Sequence, residues 1–320
     1  MHQSLADRYP APLTSRAAAI ERAALRAVAY SDVFDYALDF ATLHRYLHGI
    51  KAHPDETARV LGNAAQPAGA IVRRHGYYTL AGREDLVAVR QRRAGHAARL
   101  WPRAIAWGLR IAHLPFVRMV AVTGALAWSN VESDADVDLL IVAKPGRVWL
   151  VRALVAFIGR LSRLAGVHLC PNYVLSTNAL ELTDRSVYTA YELVHMVPIA
   201  GVAMYRRLRR LNRWTDEYFP NAAGEPHATV SRALARPQGI GQRLVRDGVK
   251  ILERKLENRL GETLERWEMA RCIRRRAGRA RVPTEALYSR EYFKDHLAGH
   301  QHVTLTRFAE RLSLLGLEDS

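Results

Sequence analysis

Asp136 and Asp138 stand two residues apart at the mouth of an apolar run, VDLLIVA, with Asp134 just before them. In an extended strand such neighbours point to one side, so the spacing sets two carboxylates together. At a few ångströms they repel by roughly 1–4 kcal/mol. A protein keeps such a pair beside a core when a cation lies between them, or when one member holds a proton. Hard oxygen donors on one face suit Mg²⁺ or Mn²⁺, which leave positions open for phosphate oxygens. Upstream, Gly124-Ala125 closes a second apolar run, RMVAV, and opens a helical turn. Free backbone N–H groups at such a turn can hold phosphate, and small residues let it approach. Ser129 and Asn130 lie between the turn and the acids and are further candidate phosphate contacts.

These residues need a sheet to hold them. Residues 118–124 and 136–143 read as strands, and VHLCPNYVLS (167–176) as a third. Between the last two lies GRVWLVRALVAFIGRLSRLAG, an apolar helix of about five turns. SVYTAYELVHM and YRRLRRLNRWTDEYF follow as two helices. The order strand, turn, strand, helix, strand gives an α/β (α+β) domain with a small sheet.

Upstream, AAIERAALRAVAYSDVF, DFATLHRYLHGI and HPDETARVLGNAA have helical periodicity, with Asp39 as N-cap of the second. AIVRRHGYYTLAG alternates about His75-Gly76, as a hairpin does. Three helices and a hairpin follow the winged helix-turn-helix order, which carries an expectation of nucleic-acid contact. Residues 54–65 would be the recognition helix, and they are poor in Lys and Arg. A protein-docking unit of the same shape is the other reading. Residues 84–114 read as one or two helices rich in Arg and Ala.

Pro220, Gly224, Pro226 and Pro237 mark a loop-rich boundary, after which the chain reads as helical and basic. Apolar residues from Val245 to Trp267 step by three and four, the pattern of one amphipathic helix over 244–267. The run 271–281 reads as a solvated basic face, with contact to RNA or a lipid surface as the alternative.

With 47 Lys and Arg against 31 Asp and Glu, the net charge is +16. That excess suits polyanionic partners, although arginine-rich coding produces it too. Two cysteines make no disulfide framework, and no stretch is long and apolar enough to span a bilayer. The N-terminus has no secretory pattern, so a cytoplasmic location is expected.

Gly124-Ala125 followed by Asp136-x-Asp138 and an apolar strand resembles the signature of the DNA polymerase beta-like nucleotidyltransferase superfamily. PFVRMVAVTGALAWSN, LCPNYVLS, YTAYELVHMVPIAG and the NRW of YRRLRRLNRWTDEYFPN are similar to bacterial nucleotidyltransferase-domain proteins with an N-terminal winged-helix-like unit. The resemblance covers about 20 to 220. It implies a winged-helix-like domain over 18–92, a linking helix over 93–117, a small mixed-sheet nucleotidyltransferase domain over 118–220 and a helical basic region over 221–320. It further implies that Asp136 and Asp138 bind Mg²⁺ or Mn²⁺, and that the Gly124 turn holds the NTP. A nucleoside monophosphate would pass to an unidentified acceptor with release of pyrophosphate.

Three features depart from the family pattern. Ala125 replaces the usual Ser, Ser129 stands where relatives often have Gly, and the 167–176 strand carries no acid. Asn172 on that strand is neutral. Glu181, Asp184 and Glu192 are the downstream acids able to substitute, and Glu192 is the preferred one. The alternative is a winged-helix nucleic-acid-binding or regulatory protein whose nucleotide-binding domain is weak or inactive. Lys144 as a phosphate contact, Trp128 as a base-stacking ring and His296, His300 and His302 as a metal site are weaker expectations than their structural readings.

Overall fold

The computed structural model describes residues 16–64, 69–222, 240–276, 286–295 and 299–317. The chain forms two compact units. One consists of the described parts of Met1–Gln91, Trp214–Ala223 and Thr304–Ser320, the other of those of Arg92–Arg213 and Gly224–Val303.

The first unit runs α1 (Arg16–Asp32), β1 (Leu38–Asp39), α2 (Phe40–Arg45), α3 (Pro54–Ala64), β2 (Ile71–Arg74) and β3 (Tyr77–Leu80). The Asp39 carboxylate accepts the Thr42 N–H at 2.8 Å and starts α2. The hairpin turns at His75 and Gly76, both at positive φ, where glycine carries no Cβ penalty. Leu38 and Asp39 pair with Tyr78 and Tyr77, so the expected hairpin is a three-stranded sheet of order β1-β3-β2. A two-residue strand is too short to register as periodicity. Asp32 is buried and takes Arg83 at 3.0 Å and Arg311 at 2.6 Å, which joins the far C-terminal segment to this unit.

α4 (Leu86–Ala112) is one continuous helix through Pro102. The second unit is built on β4 (Val117–Val122), the short turn α5 (Gly124–Ala127), β5 (Val137–Ala143), α6 (Val148–Leu164), β6 (Leu169–Ser176), α7 (Val187–His195), β7 (Val197–Ala200) and α8 (Val202–Leu211). After α9 (Thr215–Tyr218) come α10 (Ile240–Leu256), α11 (Arg259–Arg276), β8 (Ala286–Tyr288), β9 (Tyr292–Asp295) and α12 (His300–Leu314). Six strands lie in the order β7-β4-β5-β6-β9-β8, with β5 and β6 parallel and the other pairs antiparallel. The fold is therefore mixed α and β with mixed sheets, as the strand and helix pattern implied.

Burial explains β5: every residue is buried except Asp138, which is half-buried near its start. Leu139, Ile141 and Ala143 face a core shared with Val151 and Val155 of α6, Trp149, and Phe293 of β9. The opposite face carries Asp138 and Leu140, since residues two apart share a side.

Three expectations need correction, and one strand had no expectation. The region after 221 is not all helical, because β8 and β9 extend the sheet beside β6. The helix expected over 244–267 is two, since Asn258 Oδ1 accepts the N–H groups of Leu260 at 3.0 Å and Gly261 at 3.2 Å and caps a new helix. The helix expected over 205–219 breaks at Asn212, which is fully buried. Its amide donates to Leu180 O and Leu208 O and accepts from Leu182 N. VPIA forms β7, a sheet edge where Pro198 is tolerated. Gly224, Pro226, Pro237 and 277–281 of the basic run lie outside the described residues.

Candidate functional site around Asp138

The face of β5 that carries Asp138 leads to the acids. Asp138 stands one residue inside the strand, and its backbone carbonyl accepts the Thr123 N–H at 3.0 Å. That bond brings the end of β4 and the α5 turn directly over it. Gly124 has φ +60°, and a Cβ there would collide with Asp138 Oδ2. Glycine is thus required by the aspartate itself, as well as by the backbone conformation.

β6 supplies the next contact. Its pairing with β5 steps from Asp138↔Cys170 to Leu140↔Tyr173, so β6 carries one extra residue, within Pro171-Asn172. Such a bulge re-aims a side chain, and proline, lacking an N–H, is suited to it. Asn172 Nδ2 donates to Asp138 Oδ1 at 2.7 Å, while its Oδ1 accepts the Cys170 thiol at 3.0 Å.

Glu192 approaches from α7. The helix starts at Ser186, whose hydroxyl accepts the Thr189 N–H at 3.2 Å, and Tyr188, Tyr191 and Leu193 bury its inner side. The Glu192 carboxylate accepts the Gly124 N–H and lies in the field of Asp138. Two acids distant in sequence, one on a strand and one on a helix, thus meet at the glycine turn.

Their electrostatics follow from that packing. Burial pushes the Asp138 carboxyl up to about 7; the Asn172 amide opposes the shift, and the charge of Asp136 adds to it. Burial likewise pushes Glu192 up to about 7, with Asp138 adding to it, while Lys294 and the Gly124 N–H oppose it. Neither carboxylate receives an arginine partner in the contacts that set these shifts.

The remaining expected residues fall at different distances from this centre. Asp136 is exposed, and its carboxylate faces His168 Nδ1 at 3.4 Å. Its charge reaches Asp138, yet it lies just ahead of β5. Ala125 is within the turn, and its carbonyl accepts the Asn130 N–H at 2.9 Å. Ser129 occupies the left-handed region at φ +53° and donates its N–H to Leu126 O. Asn130 Oδ1 accepts from Arg93 at 3.2 Å, and the same arginine holds Glu132 at 2.7 Å. Glu181 pairs with Arg185, and Asp184 takes the Thr189 hydroxyl, so neither joins the centre.

Trp128 stacks on His195 with centroids 3.5 Å apart and planes 4° from parallel. Lys144 is ion-paired with Glu257. His296 lies outside the described residues, and among those described no group of three or more His, Cys, Asp or Glu side chains is arranged to hold a metal. No helix there is long and apolar enough to cross a membrane.

Lys294 is the member that sequence reading missed. It is 8% exposed on β9, paired with Tyr173 of β6, with its ammonium over the Tyr173 ring at 5.4 Å. Its segment followed the unassigned basic stretch, and only the alternation YFKD hinted at a strand.

The acid pair fits a hard divalent cation by its chemistry. The donors are carboxylate oxygens, their burial disfavours two bare charges, and Mg²⁺ commonly takes one or two protein carboxylates and fills its remaining positions with water and phosphate. The chain matches no protein-family model, no curated protein and no solved structure.

Proposed function

We propose that the chain is a metal-dependent nucleotidyltransferase that moves a nucleoside monophosphate from an NTP to an acceptor and releases pyrophosphate. The observation that carries this reading is the meeting of Asp138 and Glu192 over the Gly124 turn. Two half-buried acids that act on one another are costly, and a structural role would be served better by neutral side chains.

In this reading Asp138 and Glu192 hold Mg²⁺ or Mn²⁺, with Asp136 adding negative charge at the rim. The ion, when bound, neutralises phosphate charge as a Lewis acid. Asn172 and the Gly124 N–H each fix one carboxylate, so the acids are oriented before substrate arrives. The acceptor oxygen attacks the α-phosphorus, the bond to pyrophosphate breaks, and the acceptor proton passes to a carboxylate of the pair. In this reading the α5 turn at Gly124 and Ala125 takes the triphosphate, with Ser129 and Asn130 as further contacts. The test is pyrophosphate release with each NTP and Mg²⁺ in a cell extract that supplies acceptors. Activity present in the natural protein and absent in Asp138→Asn supports the reading; equal activity in both overturns it.

A second reading concerns the first unit. Its order α1-β1-α2-α3-β2-β3 and the exposed Arg73, Arg74 and His75 on the hairpin favour nucleic-acid contact through that hairpin. α3 favours it less, since Asp55 and Glu56 occupy its first turn and Glu56 is paired with Arg16. Salt-sensitive duplex binding lost in Arg73→Ala/Arg74→Ala would support that contact.

A further inference from the structure

α4 and α6 pack on the same face of the six-stranded sheet: Ala104 and Ile111 of α4 and Val151 and Val155 of α6 belong to one core cluster. Arg103 of α4 donates to the Ala165 carbonyl, just past the end of α6. The inner side of α6 is filled by Val151, Val155, Gly159 and Ser162. Its outer side is apolar too. Phe157, Leu161 and Leu164, spaced four and three apart, are 55%, 41% and 87% exposed. A stripe of large apolar side chains is costly in water, and a merely solvated helix face carries polar residues there. Arginines surround the stripe: Arg160 and Arg163 on α6, and Arg99, Arg103 and Arg110 on α4, are all exposed. Neither helix contains an acid. Among the described residues none of the five meets a carboxylate; Arg103 has the Ala165 carbonyl, and Arg110 lies over the Trp107 ring at 4.6 Å.

We propose that this outer face of α4 and α6 docks on the surface of an anionic lipid bilayer. Docking of this kind is independent of the nucleotidyltransferase reading. Lipid is the occupant that uses both kinds of side chain. Phenylalanine and leucine enter the boundary between headgroups and acyl chains, while guanidinium groups on long stems reach lipid phosphates. A nucleic-acid backbone takes the arginines and leaves Phe157, Leu161 and Leu164 against phosphate or water. A second copy related by a two-fold axis sets these arginines against their own counterparts, with no acid on either helix to separate them. Past Leu164 the chain turns, and His168 faces Asp136 at 3.4 Å. The lipid-facing surface therefore ends a few residues from the candidate site.

The experiment sediments the full chain with vesicles of phosphatidylcholine alone, or of phosphatidylcholine with about one third phosphatidylglycerol. The natural protein binds the anionic vesicles about 100-fold more tightly than the neutral ones. Leu161→Ser/Leu164→Ser lowers that affinity about 10- to 100-fold, and Arg160→Gln/Arg163→Gln about 10- to 30-fold. All four side chains are exposed, so the thermal melt of each variant matches the natural protein. Arg207→Gln/Arg210→Gln on α8 removes equal charge from exposed residues elsewhere and changes the affinity by less than about threefold. Absence of binding to anionic vesicles overturns the inference. So does an equal loss in the α8 variant and the α6 arginine variant, the mark of diffuse attraction to a chain of charge +16. So does full binding by the leucine variant, the mark of charge alone. A dimer in sedimentation equilibrium, or duplex RNA binding, that is lost in the α6 variants while vesicles are not bound assigns the face to a second copy or to nucleic acid instead.

Discussion

Two regions of the second unit bury acids in opposite ways. On α11, Glu268 is buried and meets Arg152 at 3.0 Å and Arg271 at 2.6 Å, and Glu265 takes the N–H groups of Trp149 and Leu150 at 2.8 and 2.7 Å. Those contacts cap α6 and fasten α11 to it, the use of an anion at a helix N-terminus. Around Asp138 and Glu192 the partners are an amide, a backbone N–H, the two acids themselves and the more distant charge of Lys294. A glutamate held by arginines is satisfied and structural. An acid pair whose direct hydrogen bonds come from an amide and a backbone N–H keeps its capacity to take a cation or a proton.

Substitution separates the two regions. The largest effect is on activity: Asp138→Asn lowers nucleotidyl transfer by about 100- to 1,000-fold, measured by pyrophosphate release, while the melting temperature holds or rises because a buried charge is gone. Glu268→Ala does the reverse. It leaves Arg152 buried without its carboxylate and costs about 3–5 kcal/mol by chemical denaturation, with transfer by the folded fraction unchanged.

Titration gives the next contrast. Asp138 and Glu192 have folded values near 7, above their ordinary carboxylate values. Raised acids favour the folded state fully below their unfolded values. That contribution declines as pH rises from about 4 and is gone above about 7. Denaturation in Mg²⁺-free buffer shows this slope, and Asp138→Asn/Glu192→Gln flattens it. Saturating Mg²⁺ reduces the loss, because the ion favours both ionised forms.

Gly124→Ala is smaller: strain at φ +60° and the collision with Asp138 together cost about 1–3 kcal/mol, read by thermal melting, and NTP affinity falls with it. Smallest is Glu265→Gln, which keeps one acceptor for the α6 N-terminus and costs about 1 kcal/mol in the same assay, with no change in NTP affinity.

Part of the site was legible because its determinants are local. The aspartate spacing, the apolar run behind it and the small turn ahead lie within twenty residues, so period and composition describe them. The preference for Glu192 had a weaker basis, a missing acid on β6 and a short choice of downstream carboxylates; only the packing of α7 brings Glu192 to the Gly124 N–H. The Gly124 turn illustrates the limit. The glycine was legible, but its reason was not, since the nearest group to its missing Cβ is Asp138 Oδ2.

By itself the sequence determined what short-range chemistry dictates: the Asp39 cap, the turn at His75-Gly76, the buried β5 with its half-buried Asp138, and the apolar α6. Tertiary structure decided what depends on partners far along the chain. β7 at a sheet edge, β8 and β9 beside β6, and Lys294 on the face of Asp138 carry no periodic signal, because strands this short take their identity from the neighbours they pair with. The breaks at Asn212 and Asn258 belong to the same class, for an asparagine ends or starts a helix through the backbone groups its amide can reach.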